Sequence, residues 1–132
     1  TPCGTLFPYT TLFRSELTKA IDGEVLVAPL RNITLTCGFA ADLMSDILAL
    51  GEPQMLMITG LVNPQAIRTA EMSDMPVIVF VRGKRPPKSM LELADNLGIG
   101  VLISPYTMYE TCGRLYQAGL PVLGQLPIVQ QQ

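Results

Sequence analysis

From Ser15 onward, short apolar runs alternate with longer amphipathic segments, and Gly and Pro stand between them. A chain with this rhythm folds as an α/β domain, because each apolar run needs cover and each amphipathic segment can supply it. A first short helix over Glu16–Ile21 ends near Gly23, and "EVLVA" (Glu24–Ala28) is a strand. "NITLT" (Asn32–Thr36) reads as a second strand stopping at Cys37-Gly38. Ala40, Leu43, Ile47 and Leu50 then form one helical stripe over Phe39–Leu50, with Asp42, Ser45 and Asp46 facing away. "QMLMIT" (Gln54–Thr59), "PVIVFV" (Pro76–Val81) and "GVLIS" (Gly100–Ser104) are near-continuous apolar runs of buried-strand length. Helices follow each: one opened by Asn63 and Pro64, one over about Pro87–Leu97 stopped by Gly98, and one with Thr107 and Glu110 in capping-box spacing, ended by Gly119. Short connections between unbroken apolar strands require a mostly parallel sheet with helical crossovers. The expected product is a three-layer α/β/α domain with four to six strands and an antiparallel edge strand near the N-terminus.

Composition narrows the function. The 132 residues suit one domain, and 48% hydrophobic residues with a mean hydropathy of +0.36 are enough to bury a core. A net charge of −2 supplies no general attraction to nucleic acid or to an acidic membrane surface, so neither partner is expected. No apolar run nears the roughly 20 residues that span a bilayer, which sets a cytoplasmic expectation. Cys3, Cys37 and Cys112 are too scattered for a disulfide framework, and with no His they complete no metal site. No catalytic residue, metal or cofactor is expected.

The stretch Glu24–Leu120 resembles the DRTGG domain, through "TCGFAADLMSDIL" (Thr36–Leu48) and "SPYTMYETCGRLYQAGL" (Ser104–Leu120). Asn32 and Ile33 stand where that family carries its Asp-Arg pair, and Cys37-Gly38 where it carries two glycines. The resemblance implies a small α/β module of regulatory or dimerising character. Such modules accompany phosphotransacetylases and CBS-domain pyrophosphatases, and short bacterial stand-alone versions lie beside iron-only hydrogenase and sensor-kinase-like genes. It implies no reaction.

Ligands of open parallel sheets bind where loops leave the strand C-termini. Four such loops are expected: Thr36-Cys37-Gly38, Thr59-Gly60 through Asn63, Arg82-Gly83-Lys84-Arg85, and Ser104 through Thr107. Each precedes a helix N-terminus, which favours an anion. Arg82, Lys84, Arg85 and Lys88 are four of the nine Lys and Arg residues, so a phosphate, carboxylate or nucleotide ligand is one reading and a solvated turn is the other. Gly83-Lys84 is no Walker A loop, since Ile78 and Arg85 occupy positions where it needs Gly and Ser or Thr. Cys37 and Cys112 read as packing residues. Tyr109 and Tyr116, seven residues apart, share a helix face, and Gly113 points to close packing against another helix or a partner chain; the three mark a candidate interface for self-association or a regulatory protein partner, the other reading being that the rings cover the sheet. The favoured reading is a non-catalytic, homodimeric regulatory domain that senses a small anionic metabolite. A pure interaction module and an enzyme of phosphate chemistry follow.

The peptide "TLFPYTTLFRS" (Thr5–Ser15) breaks the rhythm. It matches, residue for residue, the translated end of a common short-read sequencing adaptor, so residues 1–15 are expected to be an artefactual segment that truncates the first helix. The domain proper is then expected over residues 16–120, with 121–132 as a loosely docked tail.

Overall fold

The computed structural model describes residues 14–29 and 35–123. Among these residues five helices and five strands follow one another as α1 (Arg14–Ile21), β1 (Glu24–Val27), β2 (Cys37–Ala40), α2 (Met44–Leu50), β3 (Met55–Thr59), α3 (Pro64–Met72), β4 (Val77–Phe80), α4 (Lys88–Leu97), β5 (Gly100–Ile103) and α5 (Met108–Gln117). The sheet order is β1-β5-β4-β3-β2. Strands β2, β3, β4 and β5 are parallel, and β1 pairs antiparallel with β5 at the edge. The three-layer arrangement and the antiparallel edge strand are those read from the sequence.

Alternation along the strands divides the core. Met55, Met57, Ile78, Phe80 and Val101 face one way, onto Met44 and Ile47 of α2, Ala66, Ile67 and Ala70 of α3, and Met90 and Ala94 of α4. Leu56, Ile58, Val77, Val79, Val81 and Leu102 face the other way, onto Ile21 of α1 and Leu115 of α5. Every residue of β3, β4 and β5 is buried, which accounts for their lack of polar alternation. Helix starts follow the sequence signals. Asn63 Oδ1 accepts from the Ala66 N–H at 3.2 Å, and Thr107 Oγ1 accepts from the Glu110 N–H at 3.3 Å.

One region differs from the sequence reading. The strand expected at 32–36 lies partly outside the described residues, and the two that are described, Leu35 and Thr36, precede the strand. Cys37–Ala40 form β2 instead, in register with Met55 through Ile58. The helix starts at Met44 and not at Phe39, buries Met44 and Ile47, and leaves Leu43 61% and Leu50 37% exposed. Backbone pairing to a neighbouring buried strand outweighs a helical stripe of marginal length. Gly38 takes part in this pairing: a Cβ there would lie 2.8 Å from Leu120 Cδ2, and its N–H donates to the Pro121 carbonyl at 3.0 Å. Val122 adds a single parallel bridge to Gly38, so the packed chain runs past residue 120 along the outer side of β2. Residues 124–132 lie outside the described ones, as do residues 1–13, which hold most of the adaptor-like peptide.

Gly23 joins α1 to β1 under the Ile103 carbonyl, where a Cβ would come within 2.5 Å of that oxygen. Because the clash is with backbone, Gly23→Ala is expected to destabilise the domain by about 1–3 kcal/mol in urea titration, through displacement of β1 from β5.

Candidate functional site

The parallel strands end along one edge of the sheet, and five chain segments gather there: Ala41–Leu43 after β2, Gly60–Asn63 after β3, Val81–Pro87 after β4, Ser104–Thr107 after β5, and the Asp22-Gly23 turn before the antiparallel β1. Backbone bonds lock the β4 and β5 loops together. The Arg82 N–H donates to the Tyr106 carbonyl at 2.7 Å and the Gly83 N–H to the Ser104 carbonyl at 2.8 Å.

Around Gly60 the side chains converge. The Asp42 carboxylate accepts through Oδ1 from the Gly60 N–H at 2.7 Å and from the Thr59 hydroxyl at 3.2 Å, while Thr59 Oγ1 accepts from the Leu61 N–H at 3.1 Å. Thr59, fully buried, thus uses its hydroxyl as both donor and acceptor. Lys84 Nζ donates to the Gly60 carbonyl at 2.9 Å, and Arg82 Nη2 lies 3.5 Å from where a Gly60 Cβ would sit. Neither Arg82 nor Lys84 forms an ion pair among the described residues. Arg82 takes a left-handed backbone conformation at φ 60°, which costs a non-glycine residue roughly 1–2 kcal/mol.

The other sequence candidates separate from this cluster. Thr36, Cys37 and Gly38 sit at the start of β2, at the opposite edge of the sheet, because the strand begins where the sequence reading ended it. Gly38 is explained by packing against Leu120. Arg85 reaches Glu24 in a two-pronged bond of 2.9 and 3.0 Å that closes the β4–α4 loop onto β1. That bond and the Arg85 charge hold the Glu24 carboxyl below its usual pKa and raise the Arg85 value. Ser104 Oγ shares a buried 2.7 Å hydrogen bond with Thr111 Oγ1 and accepts from the Tyr106 N–H, so it braces the loop from inside. Asn63 and Thr107 spend their side chains on helix caps.

Beside the β5 loop, the Tyr106 hydroxyl donates to Asp22 Oδ2 at 2.6 Å, which raises the tyrosine pKa. Arg114 lies over the Tyr106 ring at 4.0 Å and bridges Glu110 and Asp22, tying α5 to the α1–β1 turn. Burial raises the Cys112 thiol pKa, so it stays protonated near neutral pH and is a poor nucleophile. Among the described residues, no group of three or more His, Cys, Asp or Glu is placed to hold a metal ion, and no helix is long and apolar enough to cross a membrane.

Sequence reasoning missed Asp42, which it placed on the solvent face of a helix. An acidic residue directly after a strand, opposite a Thr-Gly at the end of the next one, is the signal that points to it once β2 is set at 37–40.

A five-stranded, mostly parallel sheet with a polar edge of mixed charge defines a small α/β module. Its fold is shared with the crystal structure of the CBS and DRTGG domains of the regulatory region of Clostridium perfringens pyrophosphatase, complexed with its activator, diadenosine tetraphosphate. The match has a TM-score of 0.70 at 15% identity and covers 85% of this chain and 49% of that one, so the chain spans about half its length. No family model matches the chain, and no curated protein matches it in sequence. The likeness shows a DRTGG-like fold, the one that the sequence resemblance implies.

The Glu24–Arg85 pair sets a pH dependence. A carboxyl whose pKa is lowered by folding contributes stability above its unfolded pKa and loses it as pH falls through the folded value. The Glu24 carboxyl should therefore titrate below an ordinary glutamate in NMR, and Arg85→Ala should move it back up. Both groups are solvent-exposed, so the accompanying change in stability is small.

Proposed function

We propose that this chain is a non-catalytic regulatory domain that responds to a small phosphate-bearing ligand at the strand C-terminal edge. The observation that carries this reading is the convergence of Arg82 and Lys84 on Gly60 with neither charge consumed by an ion pair. Two cations on a braced loop, one of them at the cost of a left-handed backbone, are the arrangement expected where a ligand anion completes the charge balance. The shared fold with a regulatory region complexed with a nucleotide activator supports the same reading. So does the condition of the hydroxyls and thiol described above: Thr59, Ser104 and Thr111 bond within the core, and Cys112 is held protonated.

Arg82→Gly separates binding from folding. Glycine relieves the left-handed strain, so the variant is expected to melt no lower than the parent while binding of inorganic triphosphate, measured by calorimetry, falls at least about tenfold. Arg85→Ala, which only frees Glu24, should bind nearly as the parent does. Equal triphosphate binding by parent and Arg82→Gly refutes the anion site, as does a parent that binds neither triphosphate nor ATP.

A second reading, self-association through α5, rests on its exposed face. Tyr109 is 91% and Tyr116 65% exposed, and a Cβ added at Gly113 between them meets nothing within 4 Å. A mid-helix glycine costs about 1 kcal/mol relative to alanine, and no contact among the described residues accounts for it. Close approach of a second copy does. Sedimentation should show a dimer that Gly113→Arg converts to monomer with the melting temperature of the dissociated parent. A parent that stays monomeric across concentrations excludes this interface.

A further inference from the structure

Asp42 is bound by the protein from one side only. Its Oδ1 takes both hydrogen bonds, from the Gly60 N–H and the Thr59 hydroxyl, and these two donors fix how the carboxylate is turned. Its Oδ2 has no donor among the described residues. The carboxylate and the Arg82 guanidinium flank the same small space over Gly60, with Oδ1, Oδ2 and Nη2 at 3.4, 3.7 and 3.5 Å from an added Cβ, yet no ion pair within 4.0 Å closes between them. Lys84 approaches from the Gly60 carbonyl, with two of its three N–H groups unused by that bond.

This arrangement discriminates between ligands. A bare phosphate satisfies Arg82 and Lys84 but meets repulsion from Asp42. A ligand that sets phosphoryl oxygens on the two cations and a hydroxyl on Oδ2 satisfies all three groups, and leaving that fixed carboxylate oxygen without a donor is costly once water is displaced. An acidic residue at the end of a parallel strand has the reach to take sugar hydroxyls while a neighbouring loop holds the phosphate. Resting on the anion site proposed above, we infer that Asp42 is the specificity-determining residue of that site. It selects phosphorylated sugars, nucleoside phosphates among them, over inorganic phosphates by accepting hydrogen bonds from sugar hydroxyls at Oδ2.

The test is calorimetric titration of the full chain in EDTA, with ATP, 2′,3′-dideoxy-ATP and inorganic triphosphate as probes. The parent is expected to bind ATP about tenfold more tightly than dideoxy-ATP. Asp42→Asn keeps an oxygen for Thr59 and Gly60 but replaces Oδ2 with a group that only donates. It should weaken ATP about tenfold, and leave dideoxy-ATP and triphosphate unchanged or tighter because a negative charge is gone. A residue that merely shaped the loop would weaken all three probes alike, and that result overturns the inference. Equal affinity of the parent for ATP and dideoxy-ATP, with both lost in Arg82→Gly, also overturns it while leaving the anion site in place. Failure of the parent to bind any of the three removes the site and the inference together.

Discussion

Strand β4 has no solvent-compatible face. Val77, Ile78, Val79 and Phe80 are all fully buried, so the strand requires a partner on each side and a helical layer above and below. The other elements can be understood as the means of meeting that demand. Strands β3 and β5 flank it in parallel, and parallel neighbours oblige the chain to cross over through α3 and α4. Those helices cover the Ile78 and Phe80 side, and α1 and α5 cover the Val77 and Val79 side. The loops that carry the chain out of each strand toward its next helix then meet along one edge, and this is why polar and charged side chains from distant parts of the sequence come together there.

The chemistry of that edge is one of partial neutralisation. Glu24 neutralises Arg85, Asp22 and Glu110 share Arg114, and the buried hydroxyls of Ser104 and Thr111 satisfy each other. These contacts stiffen the loops and engage both of the cations that take part in them. Around Gly60, by contrast, opposite charges approach without closing, and there the backbone at Arg82 is also held in a conformation that its side chain disfavours. Rigid surroundings are what allow a strained residue to persist.

The centre of the domain was readable from sequence because its signals are local. The apolar runs of β3, β4 and β5 are too long and too uniform to be anything but buried strands, and Asn63-Pro64 and Thr107 mark helix starts by chemistry that acts over three residues. The β2 region was not readable for the opposite reason. "CGFA" has no β-branched residue, Ala40, Leu43, Ile47 and Leu50 imitate a helical stripe, and the contacts that make a strand of it come from Met55–Ile58 and Leu120. That shift hid Asp42 and sent Thr36, Cys37 and Gly38 to the wrong end of the sheet. The bond of Arg85 to Glu24 was not legible because the two lie 61 residues apart and no spacing rule connects them.

Two irregularities at the rims of the sheet have a shared consequence. At one rim, β1 loses register between Val25 and Val27; at the other, Val122 lies against Gly38. An open row of backbone donors and acceptors is a template on which a second molecule can add its own strand, and a chain with so apolar a sheet would be exposed to stacking into aggregates. The kink spoils the template on one side, and the returning chain occupies it at Gly38 on the other. The same few residues that look like defects in the pairing pattern leave less of either rim open to a strand from another molecule.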